Sequence, residues 1–184
     1  DDAKLLHQLS FAEAIELAYF GAKVIHPKTI QPLKEKNISL RVKSFLNPKE
    51  VGTVIFEDAE MKPFMPSFIF KENQILISIS ANDLSFIVEE HLSYIFSLFA
   101  KYGLAINMMQ NSAVSFSVCV DNDSQKTLPL ISELKESFKV QYNDQLTLCT
   151  IRHYDQTAID KVVDEKSILV EQKGRQTIQF VFLN

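Results

Sequence analysis

The sequence predicts an α+β fold organised around a repeated βαββαβ unit, and three features predict it. Alternating apolar runs such as QILISIS (74–80) have the period of strands with one buried face, whereas FIVEEHLSYIFSLFAKYG (86–103) carries apolar residues at helical spacing. After residue 73 the runs follow the order strand, helix, strand, strand, helix, strand, in which two strand–helix–strand halves interlock. A second, shorter pass begins at QLTLCTI (145–151), opening on a Gln as QILISIS does. INMMQN (106–111) and ILVEQK (168–173) hold the same place in their respective passes, so the pattern is an internal repeat.

The bulk properties bound the function. A chain of 184 residues with 46% hydrophobic content and a net charge of -4 suits one or two globular domains with their own cores. Mild acidity without a long Lys/Arg run argues against a nucleic-acid partner. Its apolar runs are strand-sized and interrupted, which argues against a membrane span. The opening DDAKLLHQLS has neither the basic start nor the apolar run of a signal peptide. Cys119 and Cys149 each lie inside an apolar alternating run, so two buried reduced thiols and a cytoplasmic location are expected. A start without Met is read as the cut end of something longer.

Taken in order, Ser10 and Glu13 form an S-x-x-E capping box for the first helix, worth roughly 1 kcal/mol. Phe11, Ala14, Ile15 and Ala18 fall on its buried face, and Gly21 stops it. Pro27 suits the first turn of a second helix, which Pro32 shortens or bends. ISLRV (38–42) and TVIF (53–56) read as strands separated by the turn chemistry of NPKEVGT. EDAEMKPFMP (57–66), with two prolines, charges and no period, reads as a linker.

In the first pass the helix carries Ile87, His91, Tyr94, Ile95, Leu98, Phe99 and Tyr102 on or near its buried face and ends at Gly103. LAINMM (104–109) and AVSFSVCV (113–120) are strands, SQKTLPLISELKESF (124–138) a helix and FKVQY (138–142) a strand. The second pass adds a helix in DQTAIDKVVDE (155–165) and strands in SILVEQ (167–172) and TIQFVFL (177–183), but lacks a second helix and a closing strand. SFIFKE (67–72) is expected to supply that missing edge by wrapping the first copy inside the second. The expected organisation is a leading segment at 1–60, a linker at 61–66, a first repeat at 74–143, and a second repeat made of 67–72 and 144–184.

Residues 10–55, SFAEAIELAYFGAKVIHPKTIQPLKEKNISLRVKSFLNPKEVGTVI, resemble the C-terminal end of the catalytic domain of aspartokinases, which join ELAYFGAKVIHP to RVKSFLNP and GT at this spacing. Val51 stands where the family usually has a proline. Residues 64–184 are similar to the paired ACT regulatory domains that follow in the same family. The resemblance implies two ferredoxin-like ACT domains, one inserted in the other, preceded by the end of an α/β amino-acid-kinase domain. For the full-length protein it implies transfer of the γ-phosphoryl of ATP, with Mg2+, to the β-carboxylate of L-aspartate, in lysine, threonine and methionine biosynthesis. Lys23 matches the family lysine of F-G-A-K-V, which implies a nucleotide-phosphate contact, with Gly21 letting the backbone come close. His26, ahead of a proline, is read as a loop-locking hydrogen-bond partner.

The family's other nucleotide and substrate residues, an early lysine in a Gly-containing strand and later Thr, Glu and Arg residues, have no counterpart here. With four glycines there is no Gly-rich phosphate loop, and there is no metal-ligand spacing or nucleophile–base pair. The catalytic set is therefore incomplete, no metal site is expected, and the chain alone is predicted to be inactive.

The resemblance also implies an amino-acid effector, lysine or threonine, bound where ACT units meet in a homodimer. By position its contacts come from Asn82, Asp83, Leu84, Ser85 and Phe86 after the first strand, and from Asn107, Met108, Met109, Gln110, Asn111 and Ser112 on the second. Asn, Gln and Ser offer donors and acceptors to a zwitterion, as do backbone groups at a strand–helix junction. Lysine-sensing members carry an aspartate at the position of Asn107, so a neutral residue there weakens lysine as the effector. Lys173, Gly174 and Arg175 at the matching hairpin of the second copy suit a solvent-exposed turn, and that copy is read as structural. The alternative is a stand-alone amino-acid-binding module without kinase activity, with the leading segment as a docking or degenerate piece.

Overall fold

Ser10 opens the first helix as its position implies. Its Oγ accepts from the Glu13 N–H at 3.0 Å, and α1 (Phe11–Phe20) ends on Gly21 at φ 120°, a left-handed conformation that glycine adopts without a Cβ clash. Glu13 does not complete the expected capping box: its carboxylate is buried against Arg152. The buried stripe accordingly runs through Phe11, Glu13 and Ala14, and Ile15, expected inside, is 37% exposed. In the computed structural model residues 3–22, 25–83 and 85–183 are described. α2 (Pro27–Glu35) retains Pro32 and starts behind His26, whose Nδ1 accepts from the Lys28 N–H at 3.2 Å. The locking role expected of His26 thus takes the form of a helix cap.

Three short strands make the first sheet, β1 (Gln8–Ser10), β2 (Leu40–Val42) and β3 (Thr53–Phe56), in the order β1-β3-β2. β1 is parallel to β3 and β2 antiparallel to it. Three residues are too few to show alternation, so β1 has no signature in the sequence. The segment read as a linker is tied down: the Lys62 carbonyl accepts from the His7 N–H at 2.7 Å, and Met61 joins a core with Leu9, Phe11, Ala14, Ile30 and Ile55.

The second sheet has six strands. They are β4 (Ser67–Ala81), β5 (Ile106–Asn111), β6 (Ser115–Asp121), β7 (Phe138–Arg152), β8 (Ser167–Lys173) and β9 (Thr177–Leu183), in the order β5-β6-β4-β7-β9-β8. With α3 (Glu89–Lys101) and α4 (Ser124–Ser137), the first repeat reads β4-α3-β5-β6-α4-β7 along the chain. The second reads β7-α5-β8-β9, with α5 at Gln156–Val163. Counted from either edge toward the middle, the strands of each repeat fall in the order second, third, first, and the two first strands, β4 and β7, lie side by side. Both repeats are ferredoxin-like, and β4 and β7 are common to the two.

The expected pairs of short strands, 67–72 with 74–80 and 138–142 with 145–151, are each one strand of 15 residues. What reads as a break is a single left-handed residue inside a continuous strand, Asn73 at φ 50° and Gln145 at φ 56°. Such a residue changes the direction of the strand without ending its pairing.

Ile75, Ile77 and Ile79 on one face of β4 meet Ile95, Leu98 and Phe99 of α3 and Leu130, Ile131 and Leu134 of α4, forming one core. Tyr94, expected on or near the buried face, is 39% exposed. On the alternate face Leu76 joins Met108, Cys119, Leu146, Leu148 and Val181. α4 starts where Asp123 caps the Gln125 N–H at 3.2 Å, and it keeps Pro129 within its first turns. By its contacts the chain divides into two compact units, Asp1–Ile69 with Ile151–Ala158, and Phe70–Thr150 with Ile159–Asn184.

Candidate functional site

The nucleotide-contact candidates lie at the end of α1. Gly21 donates its N–H to the Ala18 carbonyl at 3.1 Å and Ala22 donates to Leu17 at 2.9 Å, so this turn closes the helix. Lys23 lies outside the described residues. A cavity of about 230 Å³ beside this turn is lined by Leu9, Leu17, Ala18, Ala22, Ile25 and Ile55 among others, and apart from Lys4 and Thr53 its described lining is aliphatic. Among the described residues this surface does not fit a triphosphate, which needs cations and N–H donors around its oxygens.

The effector candidates fall at two places in the second unit. After β4, Asn82 Nδ2 donates to the Ser137 carbonyl at 3.2 Å, and Asp83 Oδ1 accepts from the Ser85 N–H at 3.0 Å. Hydrogen bonds from the Ser85 side chain and backbone hold the exposed Asp83 carboxyl below its usual range. Leu84 lies outside the described residues. This loop reaches the β5–β6 hairpin through the Ile87 N–H, which donates to the Ala113 carbonyl at 3.0 Å. Within the hairpin the Ser112 Oγ accepts from the Ser115 N–H at 3.1 Å, and Gln110 and Asn111 are exposed beside it. Asn82, Asp83, Ser85, Gln110, Asn111 and Ser112 thus gather at one end of the sheet.

Asn107 is at the other end. Ile106 is level with Val120 and hence with Ile75, whereas Asn111 is level with Phe116 and Ile79. Four residues along a strand separate the two levels by about 13 Å. The Asn107 carboxamide is engaged within the protein: Oδ1 accepts from Lys71 Nζ at 2.7 Å, and Nδ2 donates to Gln74 Oε1 at 2.8 Å and Asp121 Oδ1 at 2.9 Å. Gln74, 1% exposed, donates in turn to Asp121 Oδ1 at 2.8 Å. A β-bulge falls between Ile106 and Met108, and it aims the Asn107 side chain off the regular ladder toward these partners. Met108 is 5% exposed and packs in the core, so its side chain faces neighbours rather than a ligand.

A third cluster was not read from the sequence. Arg152, at the end of β7, grips Glu13 of α1 through Nε to Oε1 at 3.2 Å and Nη2 to Oε2 at 2.7 Å. His153 Nε2 lies 3.1 Å from Glu13 Oε1 without the alignment of a hydrogen bond, and Phe64 covers the imidazole at 4.9 Å between ring centres. Burial pushes the Glu13 carboxyl up, but Arg152 and then His153 outweigh it and hold the group below its ordinary value. The available signal was Arg152 and His153 directly after an apolar run, and an acidic residue on the apolar stripe of α1.

The first 44 residues match the model of the amino acid kinase family. Aspartokinase 1, chloroplastic, of Arabidopsis thaliana is 36% identical over 126 residues, 68% of this chain and 22% of that protein. Aspartokinase 3, chloroplastic, of the same plant is 30% identical over 176 residues, 94% of this chain and 31% of that protein. This chain belongs to the aspartokinase family. It spans a fraction of the length of these relatives, under a third in both cases. The fold agrees with that of Escherichia coli aspartokinase III, solved in complex with lysine and aspartate (T-state). The TM-score is 0.74 at 22% identity, over 97% of this chain and 43% of that one.

Proposed function

We propose that the chain is the regulatory region of an aspartokinase joined to the closing piece of its catalytic domain. Residues 1–60 are the catalytic piece and 61–66 its junction; 74–143 form the first ACT domain, and 67–72 with 144–184 the second. The observation that carries this reading is the pair of interlocked ferredoxin-like repeats following a segment that matches the amino acid kinase family. In the whole enzyme ATP with Mg2+ supplies the γ-phosphoryl for the β-carboxylate of L-aspartate. The described residues near Gly21 do not form a phosphate cradle, so no step of that transfer is assigned to them.

The role of this region is to sense an end-product amino acid in a homodimer. The polar groups at the Asn82–Ser85 loop and the Gln110–Ser112 strand end favour a zwitterion, offering donors and acceptors within two loops joined at Ile87 and Ala113. A neutral effector such as threonine is favoured over lysine on the family resemblance, in which lysine-sensing members carry an aspartate at the position of the neutral Asn107. Effector binding regulates only by preferring one of two states of the enzyme. The test is calorimetric titration of a dimeric sample with threonine, lysine and methionine, repeated on Asp83→Ala and Asn111→Ala variants. Threonine binding that weakens in both variants supports the reading. An absence of heat for all three amino acids at millimolar concentration rejects it.

A further inference from the structure

We infer that Arg152, paired with Glu13 and backed by the His153 ring, forms a clasp that positions α1, making the turn after β7 a working part of the unit that contains residues 1–69. Ile151–Ala158 fall in that unit although the rest of β7 does not. The clasp joins residues 139 apart in sequence, and both charges are nearly inaccessible, Glu13 at 9% and Arg152 at 7% exposure. A buried pair gains little net stability over an apolar one, because both charges must leave water. Its distinctive property is directional: two parallel N–H donors on a planar guanidinium accept one orientation of the carboxylate. Glu16 Oε2, 3.6 Å from Arg152 Nη1 and one turn along the same helix face, gives the guanidinium a second anchor on α1.

The backbone shows the same economy. His153 holds φ 53°, a left-handed conformation that a residue with a Cβ rarely adopts, and in it the imidazole is set between Glu13 and the Phe64 ring. α1 does not need this contact to begin or end, since Ser10 caps its start and Gly21 its stop. What the clasp adds is a fixed rotation and height for a helix whose far end, about 12 Å from Glu13 at 1.5 Å per residue, is the Gly21 turn. Arg152 and His153 are positioning residues acting through α1.

The inference is tested by hydrogen exchange on the 184-residue chain. Arg152→Met and Glu13→Gln are expected each to speed exchange of the amides of 11–22 at least tenfold, while the amides of 75–81 and 115–121 keep wild-type protection. The double variant should be no faster than the faster single one, because the two residues act as one device. Arg152→Lys, which keeps charge but loses the paired donors, should give a local increase of intermediate size. Additive effects, or exchange in 11–22 unchanged in both single variants, overturns the inference. If Arg152→Met unfolds the chain throughout, Arg152→Lys decides: a rise confined to 11–22 supports the clasp, and a uniform rise or none overturns it.

Discussion

Lys71 and Asn107 are joined across 36 residues of sequence by a 2.7 Å hydrogen bond from the lysine Nζ to the carboxamide Oδ1. The same carboxamide donates to Gln74 and Asp121, so one side chain ties β4, β5 and β6 together. Asn107→Ala leaves the buried Gln74 Oε1 and the Lys71 ammonium short of partners. It should cost about 1–3 kcal/mol without any ligand present, read as a lower urea midpoint. An unchanged midpoint would show that the network contributes little and that the carboxamide is available for recognition.

The Glu13 pair makes the first unit acid-sensitive. The folded carboxyl sits below its ordinary value of 4.5, so its contribution is fully present above about pH 4.5 and is lost as the pH falls through the folded value. Glu13→Gln removes this linkage. Melting temperatures followed between about pH 6 and pH 3 should fall less steeply for the variant than for the wild type. Parallel curves would count against a depressed Glu13.

Burial pushes the Cys119 thiol up to about 12, with the charge of Asp121 adding to it, and burial does the same to Cys149. Thiolate is the reactive form, so at mildly alkaline pH the native chain should resist iodoacetamide at both positions. Labelling monitored by mass spectrometry should begin only with unfolding, and the two sites should become reactive together. Rapid alkylation of either in the folded chain would contradict their burial on β6 and β7.

Gly52 combines φ 69° with a close approach: a Cβ built there lies 2.2 Å from the Val42 carbonyl oxygen. No side chain moves out of the way, because the obstacle is backbone. Gly52→Ala should therefore destabilise the β1-β3-β2 sheet by more than ~1 kcal/mol, through strain and displacement of β2. Exchange of amides 40–42 and 53–56 is the direct readout, and wild-type protection there would refute the prediction.

Much of this architecture is legible because it rests on local periodicity. Ser10, Gly21, Gly103 and Asp123 mark helix ends by backbone chemistry that operates within a few residues, and the alternation of Ile75, Ile77 and Ile79 is written in the chain. Asn73 and Gln145 misled because polar residues inside apolar runs resemble strand ends. Strand pairing on either side instead holds each in place as a left-handed link within a continuous strand. Of the residues proposed for an effector, those after β4 and those at the β5–β6 turn lie at one end of the sheet, linked by Ile87 and Ala113, whereas the Asn107 side chain turns at a β-bulge into an internal network that spacing does not reveal.

By itself the amino-acid order determined the repeat, the helices with their caps, and membership of the aspartokinase family, since each depends on residues near one another or on similarity position by position. Only the tertiary structure decided that 67–72 runs on into 74–81 and 138–142 into 145–152 as single strands, that Glu13 belongs to Arg152 rather than to a capping box, and that Lys71 and Asp121 hold Asn107. These are contacts between residues far apart in the chain. The competition for each donor and acceptor is settled by burial, which has no counterpart in a local pattern.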